Sequence, residues 1–130
     1  MSFSVSMLRF RSFSLAIIFL FIAGCGKDLP ELEGIDKAEW VKDRNGCLNL
    51  RRGMADAIRK EKEKLLALDE LEVVALLGKP DHNELYRRNQ KFYLYFILPA
   101  PECAGATDTI TQKLVVRFNA MGLAKEVLVE

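Results

Sequence analysis

The spacing of apolar residues divides the chain into a helical first half and a β-rich second half. Apolar residues recur at helical intervals over residues 53–66. Aromatic and branched residues dominate residues 92–98, and residues 111–118 and 123–129 largely alternate apolar with polar side chains. The pattern therefore predicts a helix over 53–66 and three strands over the later ranges.

Two pairs of acidic residues mark the starts of two further helices. Asp36 with Glu39, and Asp69 with Glu72, have the three-residue spacing of a capping box. Gly78 supplies the stop signal of the second of these helices. The inner stripe of that helix is predicted to contain Leu71, Val74, Ala75 and Leu77.

These elements predict an α+β fold. Two to three N-terminal helices would pack on a three-stranded antiparallel β-meander as a two-layer sandwich, because one sheet face must be covered by the helices. Residues 119–122 are the predicted hairpin turn between the last two strands. The folded domain is expected to span residues 35–130.

The first 24 residues have the features of a secretory signal peptide. Two arginines precede a short apolar run, and Ala23 and Gly24 directly precede Cys25. This arrangement resembles a bacterial lipobox, which implies that residues 1–24 are removed and Cys25 carries lipid. An ordinary signal peptide with a coincidental cysteine, or an uncleaved anchor, are the alternatives. Residues 25–34, polar and containing Pro30, are interpreted as a flexible tether.

The charge balance does not favour a nucleic-acid partner. The signal peptide holds two of the 19 basic residues and no acidic one, so the remaining chain is close to neutral. A nucleic-acid-binding domain would need a clustered basic surface. Two cysteines follow Cys25, namely Cys47 and Cys103. In an exported protein they could form a disulfide worth roughly 4 kcal/mol, or remain two buried thiols.

The residues needed for catalysis are not arranged for it in the sequence. His82 is the single histidine and falls in a predicted turn over residues 80–83, and all serines lie in the signal peptide. A nucleophilic triad therefore lacks a serine, and the spacing of the histidine and the two cysteines does not match a zinc site. The sequence predicts a protein that is not an enzyme and needs no metal or cofactor.

Two groups of residues are candidates for an interaction surface. Tyr93 and Tyr95 alternate with apolar residues, so one aromatic set would face the core and the other could contact a protein partner. Burial of both faces is the alternative. Arg87, Arg88 and Lys91 form a basic cluster that could meet lipid headgroups, or could serve only to keep the protein soluble.

The order of motifs in the second half resembles the BamE (SmpA/OmlA) lipoproteins. Residues 68–80 match the family's helix that ends in Leu-Gly-x-Pro, and residues 91–96 match its aromatic strand. Residues 114–118 and 119–122 correspond to the next strand and turn. The resemblance covers roughly residues 65–130. The family's Gly-Met-Thr helix start has no equivalent before this helix, and the long charged helix and the cysteine pair are additional.

The resemblance implies a two-layer fold shared with β-lactamase-inhibitor proteins. It also implies a non-enzymatic scaffold of outer-membrane β-barrel assembly or envelope integrity, anchored in the outer membrane by Cys25 and facing the periplasm. The expected partners are then the barrel-assembly insertase, its companion lipoproteins and anionic lipid. An alternative is an inhibitor or ligand-binding lipoprotein that uses its sheet face.

Overall fold

The computed structural model describes residues 27–106 and 110–130, so the predicted signal peptide and Cys25 lie outside the described residues. The α-helices and strands are α1 (Lys37–Lys42), α2 (Ala55–Glu61), α3 (Glu70–Leu77), β1 (His82–Tyr86), β2 (Gln90–Phe96), β3 (Lys113–Phe118) and β4 (Ala124–Val129). Short 3₁₀ segments cover Arg44–Gly46, Arg51–Met54, Lys62–Leu65 and Arg87–Asn89. The helix predicted over residues 53–66 is thus α2 extended at both ends by 3₁₀ turns.

The α+β class is confirmed, but the sheet has four strands rather than three. All neighbouring strands are antiparallel and follow the order β1-β2-β3-β4. The strand that the sequence did not predict is β1, which begins at His82, a residue assigned to a turn from the sequence. Four of its five side chains are exposed, so β1 carries no alternation of buried and exposed residues. Pairing with β2, rather than burial, holds it in place.

Helix α3 begins and ends where the sequence predicts. The Asp69 carboxylate accepts from the backbone N–H of Glu72 at 2.8 Å, and the Glu72 carboxylate accepts from that of Asp69 at 2.8 Å. Gly78 ends the helix with a φ of 76°. A Cβ atom at Gly78 would lie 2.7 Å from a methyl carbon of Val41, so α1 can approach α3 closely only beside glycine.

The inner stripe of α3 differs from the predicted one. Val73 and Leu77 are fully buried, whereas Leu71 is 80% exposed. Six of the eight residues in α3 are apolar, so helical periodicity does not define which side faces the core. Packing against the sheet places the side of α3 that contains Val73 in the core.

The main core lies between the helices and one face of the sheet. Trp40, Ile58 and Leu65 contribute from the helical layer and are fully buried. Burial of a large apolar side chain contributes about 1.5–3 kcal/mol relative to leaving it exposed. The sheet contributes Tyr93, Tyr95, Leu114, Val116, Phe118, Ala124 and Val127.

The stretch interpreted as a flexible tether contacts the domain from Lys27 onwards, although most of its residues are exposed. Leu32 and Ile35 pack against the core, and the Lys64 ammonium donates to the carbonyl oxygen of Glu31 at 3.0 Å. Residues 27–34 are mostly polar, so the sequence suggests a tether, although Leu29 and Leu32 lie three positions apart among them. The described part of this stretch therefore contacts the domain, and its flexibility stays a prediction.

Within the described residues, no helix has both the length and the apolar character required to cross a bilayer.

Candidate interaction site

Two turns and the start of α3 meet at one end of the sheet, which we call the turn end. It comprises residues 85–91, residues 119–122 and residues 69–72. Both turns lie at this end because β1, β2, β3 and β4 form an antiparallel meander. Asp69 forms an isolated antiparallel bridge with Leu123, which fixes the start of α3 beside the second turn.

The basic residues predicted as a cluster have different environments at the turn end. The Lys91 ammonium lies 2.6 Å from a carboxylate oxygen of Glu70, and this hydrogen bond is the main reason that its pKa is raised. Both side chains are about one-third exposed, so solvent screening limits the pair to about 1 kcal/mol at most. Arg87 and Arg88 are exposed and form no ion pair with any residue of the described ranges. The two arginines therefore remain available, whereas Lys91 is neutralised.

Large apolar side chains are exposed around these arginines. Leu85 and Tyr86, directly before the first turn, are 72% and 60% exposed. Met121 in the second turn is 81% exposed, and Leu71 in the first turn of α3 is also exposed. Leu85 pairs with Lys91 across the first hairpin, and Lys91 is bound to Glu70. The first turn therefore lies close to the segment that contains Leu71. The turn end thus combines apolar side chains with two unpaired basic groups.

The described chain begins at this same end. The Lys27 ammonium lies 3.0 Å from a carboxylate oxygen of Glu72, which belongs to the first turn of α3. Lys27 is two residues beyond Cys25. The chain therefore enters the domain beside the first turn of α3, which also carries the exposed Leu71.

The two tyrosines predicted as partner contacts lie in the core. Tyr93 is 8% exposed and its ring packs at 4.8 Å, centroid to centroid, from that of Phe118. Tyr95 is fully buried, and its hydroxyl donates to the carbonyl oxygen of Gly78 at 2.9 Å. Burial raises the pKa of Tyr95 well above its usual range. The prediction that these tyrosines contact a partner is wrong, because the helices cover the face of β2 that carries them.

A buried ion pair occupies the opposite end of the sheet. The guanidinium of Arg51 lies 2.5 Å from a carboxylate oxygen of Asp81, and both side chains are at most 1% exposed. Arg51 also donates to the carbonyl oxygens of Trp40 at 2.8 Å and Phe96 at 3.0 Å. The guanidinium carbon lies 4.9 Å from the centre of the Trp40 ring, within the range of a cation–π contact.

A second buried carboxylate holds the backbone before Arg51 in position. Asp43 is fully buried and accepts from the backbone N–H groups of Leu48 at 2.6 Å and Arg51 at 2.9 Å. Asp81 likewise accepts from the backbone N–H of Phe96 at 2.8 Å. Each buried charge thus has partners within the protein, as burial of a charge requires. We call Asp43, Arg51 and Asp81 the polar centre and assign it a structural role.

A disulfide closes the loop beside the polar centre. Cys47 and Cys103 are bonded, with their Cα atoms 5.4 Å apart, so the structure contains one of the two arrangements that the sequence leaves open. The preceding residue, Gly46, has a φ of 67°, and a Cβ atom there would lie 2.8 Å from the carbonyl oxygen of Leu98. The backbone carbonyl of Asn45 also accepts from the N–H of Ala100 at 2.9 Å.

The single histidine contacts a glutamate at the surface. His82 Nε2 lies 3.3 Å from a carboxylate oxygen of Glu102, and both side chains are substantially exposed. The ring of His82 also packs edge-on against Phe96 at 5.5 Å. Within the part of the chain that the structure describes, no group of three or more His, Cys, Asp or Glu side chains is placed to hold a metal ion.

A shallow groove lies between the N-terminal stretch and the helices. It has a volume of about 440 Å³. Its lining is mainly apolar and includes Leu29, Pro30, Leu32, Ile35 and Leu76, together with Glu31 and Lys37.

Sequence reasoning missed the polar centre and the exposed apolar residues of the turn end. Arg51 belongs to the dipeptide Arg51-Arg52, and nothing in the local pattern indicates that only the first arginine is buried. Its partner Asp81 is 30 residues away, so only the tertiary structure reveals the pair. Leu71 was missed because the periodicity of α3 is ambiguous.

The fold and the surface together define an α+β domain with a buried polar centre at one end and exposed apolar and basic side chains at the other. Comparisons of the chain with models of protein families, with curated proteins and with solved structures found no match.

Proposed function

We propose that the protein is a lipid-anchored, non-enzymatic scaffold of the bacterial envelope. The observation that carries the proposal is the close spacing of the lipobox-like sequence and the folded domain. Cys25 follows Ile22-Ala23-Gly24, and the chain already contacts the domain at Lys27 through an ion pair with Glu72. Two or three acyl chains on Cys25 would anchor the protein stably, since each buried methylene contributes about 0.8 kcal/mol.

The resemblance to the BamE lipoproteins supports a more specific role in outer-membrane β-barrel assembly. The Leu77-Gly78-Lys79-Pro80 segment ends α3 at a point where Val41 of α1 leaves no room for a side chain, so the glycine of the motif has a packing reason in this chain. The helices cover one face of the sheet, in keeping with the two-layer fold that the resemblance implies. The proposed location is the outer membrane, with the domain facing the periplasm, and the proposed partners are the insertase and its companion lipoproteins.

The use of the charged side chains favours scaffolding over catalysis. Asp43, Arg51 and Asp81 are held by backbone groups and by one another, and the polar centre is buried rather than open to a cleft. In the described part of the chain, exposed charged groups such as Arg87 and Arg88 are placed to bind the surface of a partner or a membrane.

The first test is lipidation of Cys25. Cys25→Ala should prevent incorporation of labelled fatty acid and release the protein from the membrane fraction, whereas Gly26→Ala, the matched control, should do neither. Normal fatty-acid incorporation and membrane fractionation by Cys25→Ala would contradict the proposed anchoring.

The second test identifies the partner. Affinity purification of the lipidated protein from gently solubilised membranes should recover the barrel insertase. Arg87→Glu should reduce this recovery if the turn end also contacts the partner, and Lys79→Glu, an exposed charge near the polar centre, is the control. Recovery of a different exported enzyme would instead favour an inhibitor.

The groove beside the N-terminal stretch supports the alternative of a ligand-binding lipoprotein. Its apolar lining from Leu29, Leu32 and Leu76 would suit a small apolar ligand. Co-purification of such a ligand, lost on Leu76→Asp and retained on Leu71→Asp, would favour this role over scaffolding.

A further inference from the structure

We infer that the turn end lies against the bilayer that holds the lipid anchor, with Leu71, Leu85, Tyr86 and Met121 in contact with its interface. The inference rests on the proposed lipidation of Cys25 and adds an orientation of the domain. It depends on three observations: where the chain enters the domain, which side chains are exposed there, and how the charges around them are paired.

The covalent chain limits how far the anchor can be from the turn end. Two residues separate Cys25 from Lys27, and a fully extended chain of that length spans roughly 7 Å. The Lys27 ammonium is bound to Glu72, and the following residues are packed on the helices. A lipid on Cys25 therefore places the first turn of α3 close to the headgroups, because no long tether intervenes.

The side chains exposed at this end have the chemistry of a membrane interface. Leu71 and Met121 are each at least 80% exposed, and the Asp69–Leu123 bridge brings their two segments together. Leu85 and Tyr86 lie at the same end of the edge strand β1 on opposite faces of the sheet, and the Tyr86 ring lies 5.0 Å from that of Phe92. Large apolar side chains grouped on a surface mark an interaction site, and tyrosine is favoured at the level of the headgroups.

The pairing of charges removes most of the repulsion that would keep this end off a membrane. Glu70 and Glu72, in the first turn of α3, are paired with Lys91 and Lys27 respectively. Glu84 remains exposed, but it pairs with Phe92 and so lies farther along β1 from the first turn than Leu85 and Tyr86 do. Apolar contact therefore supplies the main attraction, and Arg87 and Arg88 add to it where the lipid is anionic.

Quenching of tryptophan fluorescence by brominated lipid tests the orientation. Lipidated Met121→Trp and Leu71→Trp proteins would be purified, checked by mass spectrometry for lipid on Cys25, and reconstituted into vesicles of phosphatidylcholine with bromines on the acyl chains. Ala104→Trp is the matched control, because Ala104 is exposed in the loop that follows β2, at the end opposite the turns. Trp40 is buried and common to all three proteins.

Brominated lipid should quench Met121→Trp and Leu71→Trp several-fold more strongly than Ala104→Trp. The same order is expected when phosphatidylglycerol is added, because the contact is mainly apolar. Equal quenching of all three lipidated proteins, or stronger quenching of Ala104→Trp, would overturn the orientation while leaving the anchoring intact. Absence of lipid on Cys25 would overturn both the anchoring and the orientation.

Discussion

Removal of the Asp81 carboxylate is the most direct test of how the fold is held together. In Asp81→Ala the guanidinium of Arg51 stays buried, because it is also bound to the carbonyl oxygens of Trp40 and Phe96, but it loses its counter-charge. The backbone N–H of Phe96 loses its acceptor as well. The substitution thus leaves both a buried charge and a buried donor without a partner.

The expected loss follows from these two effects. Breaking a buried ion pair by removing one partner costs about 3–5 kcal/mol, and an unsatisfied buried donor costs about 1–3 kcal/mol. The two costs overlap because Arg51 and Phe96 share one carboxylate, so we expect a total of about 4 kcal/mol. Domains of this size are stable by about 5–15 kcal/mol, so this loss is a large fraction of the total. It corresponds to a decrease in Tm of roughly 15–30 °C.

Urea unfolding followed by far-ultraviolet circular dichroism measures this change, with the disulfide kept intact. Asp56→Ala is the control, since Asp56 pairs with Arg59 on the surface and its loss should cost less than about 0.5 kcal/mol. The double variant Arg51→Met/Asp81→Leu should recover part of the stability, because it removes the buried charge together with its partner. A loss below about 1 kcal/mol in Asp81→Ala would refute the assignment of a structural role to the pair.

Three further perturbations address the disulfide, a close backbone approach and a buried tyrosine. Replacing Cys47 and Cys103 by alanine should lower the free energy of unfolding by about 4 kcal/mol, measured by urea unfolding, because the bond closes a loop across 56 positions. Gly46→Ala should destabilise by about 1–3 kcal/mol, since its φ is positive and the new Cβ would meet a carbonyl oxygen, whereas Gly53→Ala has open space and should be neutral or slightly stabilising in the same assay. The raised pKa of Tyr95 means that its contribution to stability is fully present below roughly pH 10 and is lost as the pH rises through the folded-state pKa. Unfolding of wild type and Tyr95→Phe between neutral and alkaline pH should show a steeper loss in the wild type.

Each of these predictions has an outcome that would contradict it. Equal stability with and without the disulfide would mean that the native packing alone restrains the loop. Equal effects of Gly46→Ala and Gly53→Ala would mean that the loop containing Gly46 relaxes freely. Parallel pH profiles for wild type and Tyr95→Phe would exclude a contribution from the buried hydroxyl.

The elements that could be predicted are those whose signals are local. The capping box and the glycine stop of α3 act within a few residues, so Asp69, Glu72 and Gly78 mark its bounds in the sequence as they do in the structure. The strand β1 could not be predicted in this way. Its residues are mostly exposed, and its conformation comes from the ladder with β2 rather than from its own pattern.

The parts of the candidate site that escaped prediction depend on contacts between distant residues. Whether Tyr93 and Tyr95 face the core or the solvent is decided by the helices that cover β2, and an alternating strand offers both possibilities. The availability of Arg87 depends equally on tertiary structure, because Glu70 pairs with Lys91 and not with the arginines. The basic cluster was visible in the sequence, but its division into paired and unpaired members was not.

The distribution of stabilising contacts along the molecule provides an argument for the proposed orientation. The buried ion pair of Arg51 with Asp81 and the Cys47–Cys103 disulfide both lie at the end away from the point where the chain enters. The turn end has surface ion pairs, such as Lys27 with Glu72, and exposes Leu71 and its apolar neighbours to solvent. Exposed apolar groups contribute little to folding in water and promote association, whereas at a bilayer the same groups gain favourable contacts. A domain anchored at the turn end would therefore gain membrane contact there, while the disulfide and the polar centre maintain the fold at the end that projects into the aqueous compartment.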